Sequence, residues 1–210
     1  MTANATFWDN AAEQYSRKPV ADPAAFERKI AITEERMRPE HVVLDVGCGT
    51  GSLALRLAPS ATQVHGLDVS AEMIRIAQGK AAQAEVKNVS FHVGALDSSF
   101  DAIAPGELDG VCAYSILHLV DDRRAALEQI YGLLKPGGFF ISSTVCLGES
   151  RVPYRPLLAV MRALGKAPRV SIMTKAQLIS EFESAGFVDI VQPEVGAKAT
   201  IAFMAATKPR

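Results

Sequence analysis

The sequence of 210 residues has little net charge, few aromatic residues and no long apolar run. A formal net charge of −1 gives no global attraction to nucleic acid or to an anionic membrane surface. No run approaches the roughly 20 apolar residues of a membrane-spanning helix, and the N-terminus lacks the basic and apolar regions of a signal peptide. We therefore expect a cytoplasmic protein with a single domain, residues 1–210, and no integral membrane segment.

Cysteine is also scarce, and its three positions are far apart: Cys48, Cys112 and Cys146. Without paired spacing, neither a disulfide framework nor a zinc site is expected, and a reducing compartment is the natural interpretation. No cluster of His, Cys or carboxylate residues has metal-ligand spacing, so we predict no metal.

The most informative stretch is residues 42–51, VVLDVGCGTG, which a helical pattern follows. The near-continuous apolar run predicts a parallel strand that is buried on both faces. Gly47, Gly49 and Gly51 allow a tight turn with positive φ and a close approach of the backbone to a ligand. The helix directs its free N–H groups and positive dipole end at that ligand. We interpret Cys48, inside the turn, as a small residue and not a nucleophile.

The spacing of the glycines and the positions of two carboxylates indicate which kind of ligand the turn binds. The spacing is G-x-G-x-G, with Ser52 where the dinucleotide fingerprint has its third glycine. Asp45 lies just before the turn, where a carboxylate repels a pyrophosphate and attracts a cation. Asp68 ends the next predicted strand, about twenty residues past Gly47, where an acidic residue accepts hydrogen bonds from ribose hydroxyls. The pair predicts a ribose-bearing ligand with a cationic end, which describes S-adenosylmethionine.

Three motifs carry a resemblance to a known family. They are LDVGCGTG at residues 44–51, GLDVS at 66–70 and LLKPGG at 133–138. In this order and spacing they resemble the class I S-adenosylmethionine-dependent methyltransferases, from about residue 40 to the C-terminus. The resemblance implies a Rossmann-like fold, S-adenosylmethionine as the cofactor, and methyl transfer as the activity.

Strand and helix patterns alternate along the chain, which predicts right-handed βαβ units. The predicted strands cover residues 42–46, 64–68, 89–93, 108–114, 139–145, 187–191 and 200–206. No helix joins the last two, so they should be antiparallel neighbours, and the resembled family inserts its last strand between the fifth and sixth. We expect an α/β fold with a doubly wound, seven-stranded, mostly parallel sheet, an antiparallel C-terminal hairpin and three αβα layers. The predicted helix starts are Asp22-Pro23, Ser70, Asp121 and Thr174.

Residues 1–38 precede the first strand and are predicted to form a helical cap. In the resembled family a W-x-x-x-A-x-x-Y segment often closes over the cofactor, with its tyrosine near the methionine end. Tyr15 matches that position, which implies this role. The alternative is that Phe7, Trp8 and Tyr15 only anchor a helix to the body of the protein.

Residues 148–172 interrupt the alternation and should arch over the substrate side as a helical insert. Leu157, Met161 and Leu164 share one helical face, and every charge from Arg151 to Arg169 is positive. A second face carries Arg155, Arg162 and Lys166. Three interpretations stay open: a surface helix with a solvated basic face, a substrate lid that prefers acidic or lipid-like acceptors, and an amphipathic helix on anionic membrane.

The resemblance also implies roles in the cofactor site. It places the methionine end at Asp45, Gly47 and Gly49 and the ribose at Asp68. It places the adenine ring near Val69, Met73 and Leu96, for which core packing is the alternative.

Two further positions complete the predicted cofactor site at the carboxyl ends of strands, namely Ala95 and Ala113. After the third strand the family often has an acidic residue that binds the adenine amino group. Ala95 would stand there, so Asp97, the backbone or water would have to replace it.

A general base is needed only if the acceptor is a hydroxyl or a protonated amine. His118 follows the fourth strand and is the best candidate by position and intrinsic pKa, although a packed structural histidine is the alternative. Tyr114 is a weaker candidate. His41, His65 and His92 lie away from the expected ligand edge and receive no role.

The end of the fourth strand narrows the acceptor. Methylases of this fold that act on exocyclic amines of nucleic-acid bases or on glutamine amides usually carry an N/D-P-P-aromatic tetrad there, whereas residues 113–116 are AYSI. With no basic surplus, we predict no nucleic-acid substrate but a small-molecule or lipid-like acceptor, and a monomer or homodimer. The alternatives are a cofactor-binding module without turnover and an NAD-dependent oxidoreductase, against which Ser52 and Asp45 argue.

Overall fold

A computed structural model describes residues 3–97, 99–150 and 152–210 of the chain. The strands are β1 (Val42–Val46), β2 (Gln63–Asp68), β3 (Val89–Val93), β4 (Leu108–Tyr114), β5 (Leu134–Val145), β6 (Val188–Val191) and β7 (Ile201–Thr207). The helices are α1 (Ala3–Arg17), α2 (Pro23–Glu34), α3 (Ser52–Leu57), α4 (Ala71–Gln83), α5 (Arg123–Leu133), α6 (Tyr154–Ala163) and α7 (Lys175–Ser184). Within these ranges no helix is long and apolar enough to cross a bilayer.

Successive residues of the central strands bury their side chains on opposite faces of the sheet. On β1, Leu44 packs in one apolar cluster with Phe140 and Phe182, and Val43 packs in a second cluster with Leu57 and Phe203. A strand with helices on both sides buries both of its faces, which is why its sequence is almost continuously apolar. The two clusters confirm the predicted three-layer arrangement.

The strand order of the sheet is β3-β2-β1-β4-β5-β7-β6. The pairs from β3 to β5 are parallel, whereas β7 runs antiparallel to both β5 and β6. This confirms the doubly wound, seven-stranded sheet and the antiparallel C-terminal hairpin, with the last strand between the fifth and sixth. The order reverses between β1 and β4, and open α/β sheets bind ligands outside the carboxyl ends of the strands at such a point.

Most predicted helix starts are confirmed, but Asp121 is wrong as the N-cap of α5. Asp122 caps the helix instead, because its Oδ1 accepts a hydrogen bond of 3.0 Å from the amide of Ala125. Asp121 forms an ion pair of 3.2 Å with Arg169, a residue 48 positions later in the chain. Two adjacent aspartates satisfy the capping rule equally well, and a tertiary contact decides between them.

The prediction also placed the start of β5 too late, at Phe139. The strand begins at Leu134, which pairs with Leu108 across an irregular register with β4. A lysine, a proline and two glycines follow Leu134, and they hide this part of the strand from a pattern of apolar residues.

The N-terminal helices lie against the sheet domain through specific polar contacts. On α1, Asp9 Oδ1 accepts hydrogen bonds from Ser70 Oγ at 2.6 Å and from the amide of Glu72 at 3.2 Å. It thereby binds the N-terminus of α4, where backbone amides favour a negative charge. On α2, Lys29 Nζ donates to Ser143 Oγ at 2.8 Å.

Candidate functional site

The glycines of the turn after β1 have different local surroundings. All three have positive φ: +68° at Gly47, +53° at Gly49 and +78° at Gly51. A Cβ at Gly47 would lie 2.6 Å from Ile116 Cγ1, so this glycine permits close packing of the loop after β4. A Cβ at Gly49 would meet only the ring of Tyr15, at 3.6 Å. Gly49 therefore keeps a space open for a ligand, whereas Gly47 permits tight packing.

The carboxylate of Asp68 is fixed beside this turn by backbone amides. Its Oδ2 accepts from the amide of Gly49 and its Oδ1 accepts from the amide of Ser70, both at 2.9 Å. Burial raises the pKa of Asp68, and these hydrogen bonds oppose that rise. Each carboxylate oxygen keeps acceptor capacity after one hydrogen bond, so Asp68 can accept further bonds from a ligand's hydroxyls.

Asp45 lies behind the turn and is almost completely buried, with 1% of its surface exposed. Burial raises its pKa to about 8, the negative charge of Asp68 adds to the rise, and the amide of Ala54 opposes it. Its Oδ2 has no hydrogen-bond partner among the described residues. A buried carboxyl in this state is stabilised in its charged form by a nearby cation and not by an anion.

A cavity of about 520 Å³ opens at the carboxyl ends of the strands, next to the glycine turn. It contains most of the predicted site residues, namely Tyr15, Gly47, Gly49, Asp68, Val69, Met73, Ala95, Leu96 and His118. Four other predicted cofactor residues do not line it: Asp45, Cys48, Gly51 and Ala113. Asp45 and Ala113 face the packed interior because the central strands are buried to their ends.

The wall formed by β2 and β3 is apolar and ends in a carboxylate. Val69, Met73 and Leu96 contribute apolar surface, and Met73 is only 2% exposed. Asp97 also lines the cavity, and its Oδ1 accepts from the amide of Ser99 at 2.9 Å. That hydrogen bond orients the carboxylate near Ala95. For this position the sequence left open which group would bind an adenine amino group.

Helix α1 forms the outer side of the cavity. Tyr15 and Trp8 both line it, and their rings pack edge to face with centroids 6.0 Å apart. Burial raises the pKa of Tyr15, as do the charges of Asp68 and Asp45. Tyr15 thus lies close to both carboxylates, over the glycine turn.

The far end of the cavity contains His118. This residue is 9% exposed, and its Nδ1 is buried without a partner among the described residues. Burial lowers its pKa to about 4, so the imidazole is neutral near pH 7. The Tyr114 hydroxyl instead contacts α2, at 2.8 Å from Thr33 Oγ1 and 3.1 Å from the Lys29 carbonyl oxygen. Burial raises the pKa of Tyr114 above its usual range, which makes it a poor base.

Residues that received no role from the sequence also shape the site. Ser115 has a φ of +57° and lines the cavity, and its amide donates to Ser143 at 2.7 Å. A non-glycine residue in this region is uncommon and often occurs at functional sites, but no residue pattern announces it. Asp9, which attaches α1 to Ser70, was also missed because the contact joins distant parts of the chain.

Other chemically active side chains lie away from the cavity or are inert. Cys48, Cys112 and Cys146 are free and buried, and burial raises the pKa of the Cys48 thiol well above its usual range. His65 Nδ1 and His92 Nε2 lie 3.1 Å apart in a hydrogen bond between β2 and β3. Across the described part of the chain, no group of three or more His, Cys, Asp or Glu residues has the geometry of a metal site.

Comparison with known proteins agrees with this architecture. The sequence profile of a methyltransferase domain family matches residues 38–186. The chain is 35% identical over 124 residues to a ubiquinone biosynthesis O-methyltransferase of Albidiferax ferrireducens, covering 58% of this chain and 46% of the relative. It is 34% identical over 164 residues to the O-methyltransferase resE of Aspergillus sclerotiorum, covering 71% of this chain and 60% of the relative. The chain therefore spans only about half of the length of these relatives.

Solved structures show the same fold. Phosphoethanolamine N-methyltransferase 2 of Haemonchus contortus, in complex with S-adenosyl-L-methionine, superposes with a TM-score of 0.77 at 17% identity. The superposition covers 100% of this chain and 61% of that chain. The profile match spans both the glycine turn and Asp68 at the end of β2, which belong to the motifs that carried the resemblance. The chain therefore belongs to the methyltransferase domain family, within the class I S-adenosylmethionine-dependent methyltransferases.

Proposed function

We propose that this protein binds S-adenosylmethionine and transfers its methyl group to a small or lipid-like acceptor by in-line displacement. The family membership and the cavity at the reversal of strand order support this function. The proposal includes a single domain, with residues 1–38 as a cap and residues 148–172 as an insert over the acceptor side. It also includes a cytoplasmic monomer or homodimer, for which the three free cysteines suit a reducing compartment.

The residues of the cavity fit this cofactor. Its volume of about 520 Å³ lies within the roughly 300–1,000 Å³ typical of ligand pockets. The space over Gly49 is open, and the unpartnered Oδ2 of Asp45 favours a cation over a diphosphate. The observation that carries the proposal is Asp68, because backbone amides fix both of its oxygens next to that open space.

Each part of the cavity has a proposed role in binding. Asp68 accepts hydrogen bonds from the ribose hydroxyls, and the turn at Gly47 and Gly49 receives the methionine end. Val69, Met73 and Leu96 bury the adenine ring, and Asp97 accepts from its amino group. Tyr15 closes the site from α1 and excludes water from it.

The chemistry requires little from acid and base groups. When bound, S-adenosylmethionine supplies a methyl group that its sulfonium already activates. The protein therefore acts mainly by positioning the acceptor and excluding water. His118 accepts the proton of an acceptor hydroxyl, because its imidazole is neutral at the operating pH and lies in the cavity wall.

The shape of the cavity supports turnover over a role as a binding module. Besides the residues assigned to the cofactor and His118, it is lined by Pro168 and Val170 of the insert. A sensor that only binds the cofactor has no need for these apolar residues. Incubation with methyl-labelled cofactor and a panel of acceptor classes should therefore give labelled product. If the cofactor binds but no acceptor is labelled, the protein acts as a binding module.

The direct test of the cofactor site is Asp68→Ala. We expect a loss of about 1–3 kcal/mol in the binding free energy of S-adenosylmethionine, which is the size of hydrogen bonds to a charged group. Titration calorimetry measures this, with Asp101→Ala as the matched control, since Asp101 is exposed and does not line the cavity. An unchanged dissociation constant for Asp68→Ala shows that the ribose assignment is wrong.

A further inference from the structure

Helix α6 carries two arginines, Arg155 and Arg162, whose side chains are exposed. Arg155 and Arg162 line a second cavity of about 360 Å³, together with Pro168, Val170 and Ile172 of the following segment. The apolar side chains of the other face point to solvent, since Leu157, Val160 and Leu164 are 47%, 59% and 63% exposed. Two basic side chains therefore border one cavity at the surface of the protein.

The two arginine side chains line the same cavity. They are seven residues apart, so they share one face of α6 and are separated by about 10 Å along its axis. Long side chains at this spacing can converge on one ligand between them. The only other residues of α6 that line the cavity are Leu158 and Ala159, which carry no charge.

No carboxylate neutralises these guanidinium groups. Among the described residues, neither Arg155 nor Arg162 forms an ion pair, and all charged side chains from Val152 to Arg169 are basic. Asp121 reaches this region from the loop before α5, but Arg169 already binds it at 3.2 Å. The cavity thus has a positive wall with free hydrogen-bond donors, and a planar oxyanion is the ligand that guanidinium groups bind best.

The second cavity adjoins the main one. Pro168 and Val170 line both, and the amide of Ser171 donates to the carbonyl oxygen of His118 at 2.8 Å. A molecule that occupies both cavities places one end beside His118 and the other between the two arginines. The apolar residues between the ends suit a hydrocarbon or aromatic body.

We propose that Arg155 and Arg162 form an acceptor subsite that binds an oxyanion of the methyl acceptor. The acceptor is then an amphipathic anion, with a nucleophile at one end and a carboxylate or a phosphate monoester at the other. This proposal rests on the proposed function, since it names the class of substrate for the same reaction.

Matched probes test the subsite without knowledge of the natural acceptor. Benzoate and phenyl phosphate carry the two candidate anions on one apolar ring, and benzyl alcohol is the neutral counterpart. We measure their binding to the S-adenosylhomocysteine-saturated protein by ligand-detected NMR titration. Arg155→Gln with Arg162→Gln should weaken the preferred anion about 10- to 100-fold, the range for lost charge-assisted hydrogen bonds.

The matched control is Lys166→Gln, which removes the same charge from the segment just after α6 but from a residue that does not line the cavity. Its anion affinity should stay within about twofold of wild type, whereas Arg155→Lys with Arg162→Lys should restore part of it. Since α6 has no buried residue, all these variants should fold with unchanged melting temperature.

Each outcome has a defined meaning. Tighter binding of either anion than of benzyl alcohol, lost in the double glutamine variant alone, supports the subsite and identifies a carboxylate or a phosphate. Equal losses in Lys166→Gln, or no preference for an anion in the wild type, overturn it. Separate titration with S-adenosylmethionine distinguishes this failure from a failure of the proposed function, because the arginine variants should bind that cofactor as the wild type does.

Discussion

The proposed cofactor site and the proposed acceptor subsite beside α6, called here the cofactor half and the acceptor half, are built in opposite ways. In the cofactor half, Asp68 is held by backbone amides and Met73 is buried at the start of a packed helix. In the acceptor half, α6 contributes exposed or partly exposed side chains and no buried residue. The cofactor half thus depends on the core of the fold, whereas the acceptor half can change its side chains with little effect on stability.

The halves also differ in charge. Asp45, Asp68 and Asp97 are acidic and lie at or behind the cofactor half, whereas Arg155 and Arg162 line the acceptor half. This arrangement suits a cationic cofactor at one end and an anionic acceptor at the other. It also favours release of the product cofactor, which loses the sulfonium charge in the reaction.

The largest effect should come from the open glycine of the turn. Gly49→Val should abolish cofactor binding, because its side chain occupies the space that only Tyr15 borders. Gly106→Val is the matched control: Gly106 also has positive φ, at +73°, but nothing lies within 4 Å of its Cβ position. Both variants place valine at a positive φ, so titration with S-adenosylmethionine separates steric exclusion from destabilisation. Normal binding of S-adenosylmethionine by Gly49→Val would show that the turn is not part of the cofactor site.

Truncation of an apolar side chain should lower the free energy of unfolding much more in the cofactor half than in the acceptor half. Leu44→Ala should lower the free energy of unfolding by about 2–5 kcal/mol, the range for fully buried leucines, because Leu44 is 0% exposed in β1. Leu164→Ala, at the C-cap of α6, should change it by less than about 0.5 kcal/mol, since Leu164 is 63% exposed. Urea denaturation measures both. A large effect at Leu164 would show that α6 is part of the core.

His118 should affect turnover and not cofactor affinity. His118→Gln should reduce kcat about 100-fold with a hydroxyl acceptor, the lower end of the range for general bases, because a pKa of about 4 makes the imidazole a weak base. The rate of the wild type should rise as pH increases through about 4 and then stay level to neutral pH. An unchanged kcat in the variant assigns His118 a packing role.

The smallest expected effect concerns the buried carboxyl behind the turn. The pKa of Asp45 is about 8 in the fold and about 3.9 in an unfolded chain. The folded state therefore binds the extra proton between these values, and wild-type stability falls as pH rises from about 4 to about 8. Asp45→Asn does not titrate, so at pH 8 it should be more stable than wild type, on the order of 2 kcal/mol. The same variant should bind S-adenosylmethionine more weakly.

Asp109→Asn is the matched control for this pH dependence. Asp109 accepts from Lys135 Nζ at 2.7 Å and from the amide of Val42 at 2.9 Å, and these bonds lower its pKa. Its stabilising effect is present above pH 4 and is lost as pH falls through its folded pKa. Asp109→Asn should therefore destabilise the protein at pH 8. Thermal unfolding at pH 4 and pH 8 measures both effects. Between pH 4 and pH 8, the melting temperature relative to wild type should rise for Asp45→Asn and fall for Asp109→Asn. A change of the same sign in both variants would contradict the assignment.

The cofactor half was predictable from the sequence because local rules determine it. The glycine turn, Asp68 at the end of β2 and the Ser70 cap each follow from a few adjacent residues, and the structure contains all of them. The strand order was predictable too, since alternating elements leave few topologies. The resemblance supplied the insertion of β7, which helix spacing alone does not specify.

The acceptor half was less predictable because distant contacts determine it. The pattern of α6 gave its two faces, but not that Arg155 and Arg162 line a cavity together with Pro168, Val170 and Ile172. Nor could the sequence tell that Asp121 would pair with Arg169, which left the capping role to Asp122. The same limit applies to Asp45, whose position suggested the mouth of the site although its side chain is buried behind it.

Competing titrations with S-adenosylmethionine and NAD test the central claim most directly. The account requires a cationic adenosine ligand beside Gly49, with its ribose on Asp68. It predicts stoichiometric binding of S-adenosylmethionine, which is weakened by Asp68→Ala, and no measurable binding of NAD. Tight binding of NAD without binding of S-adenosylmethionine would contradict it.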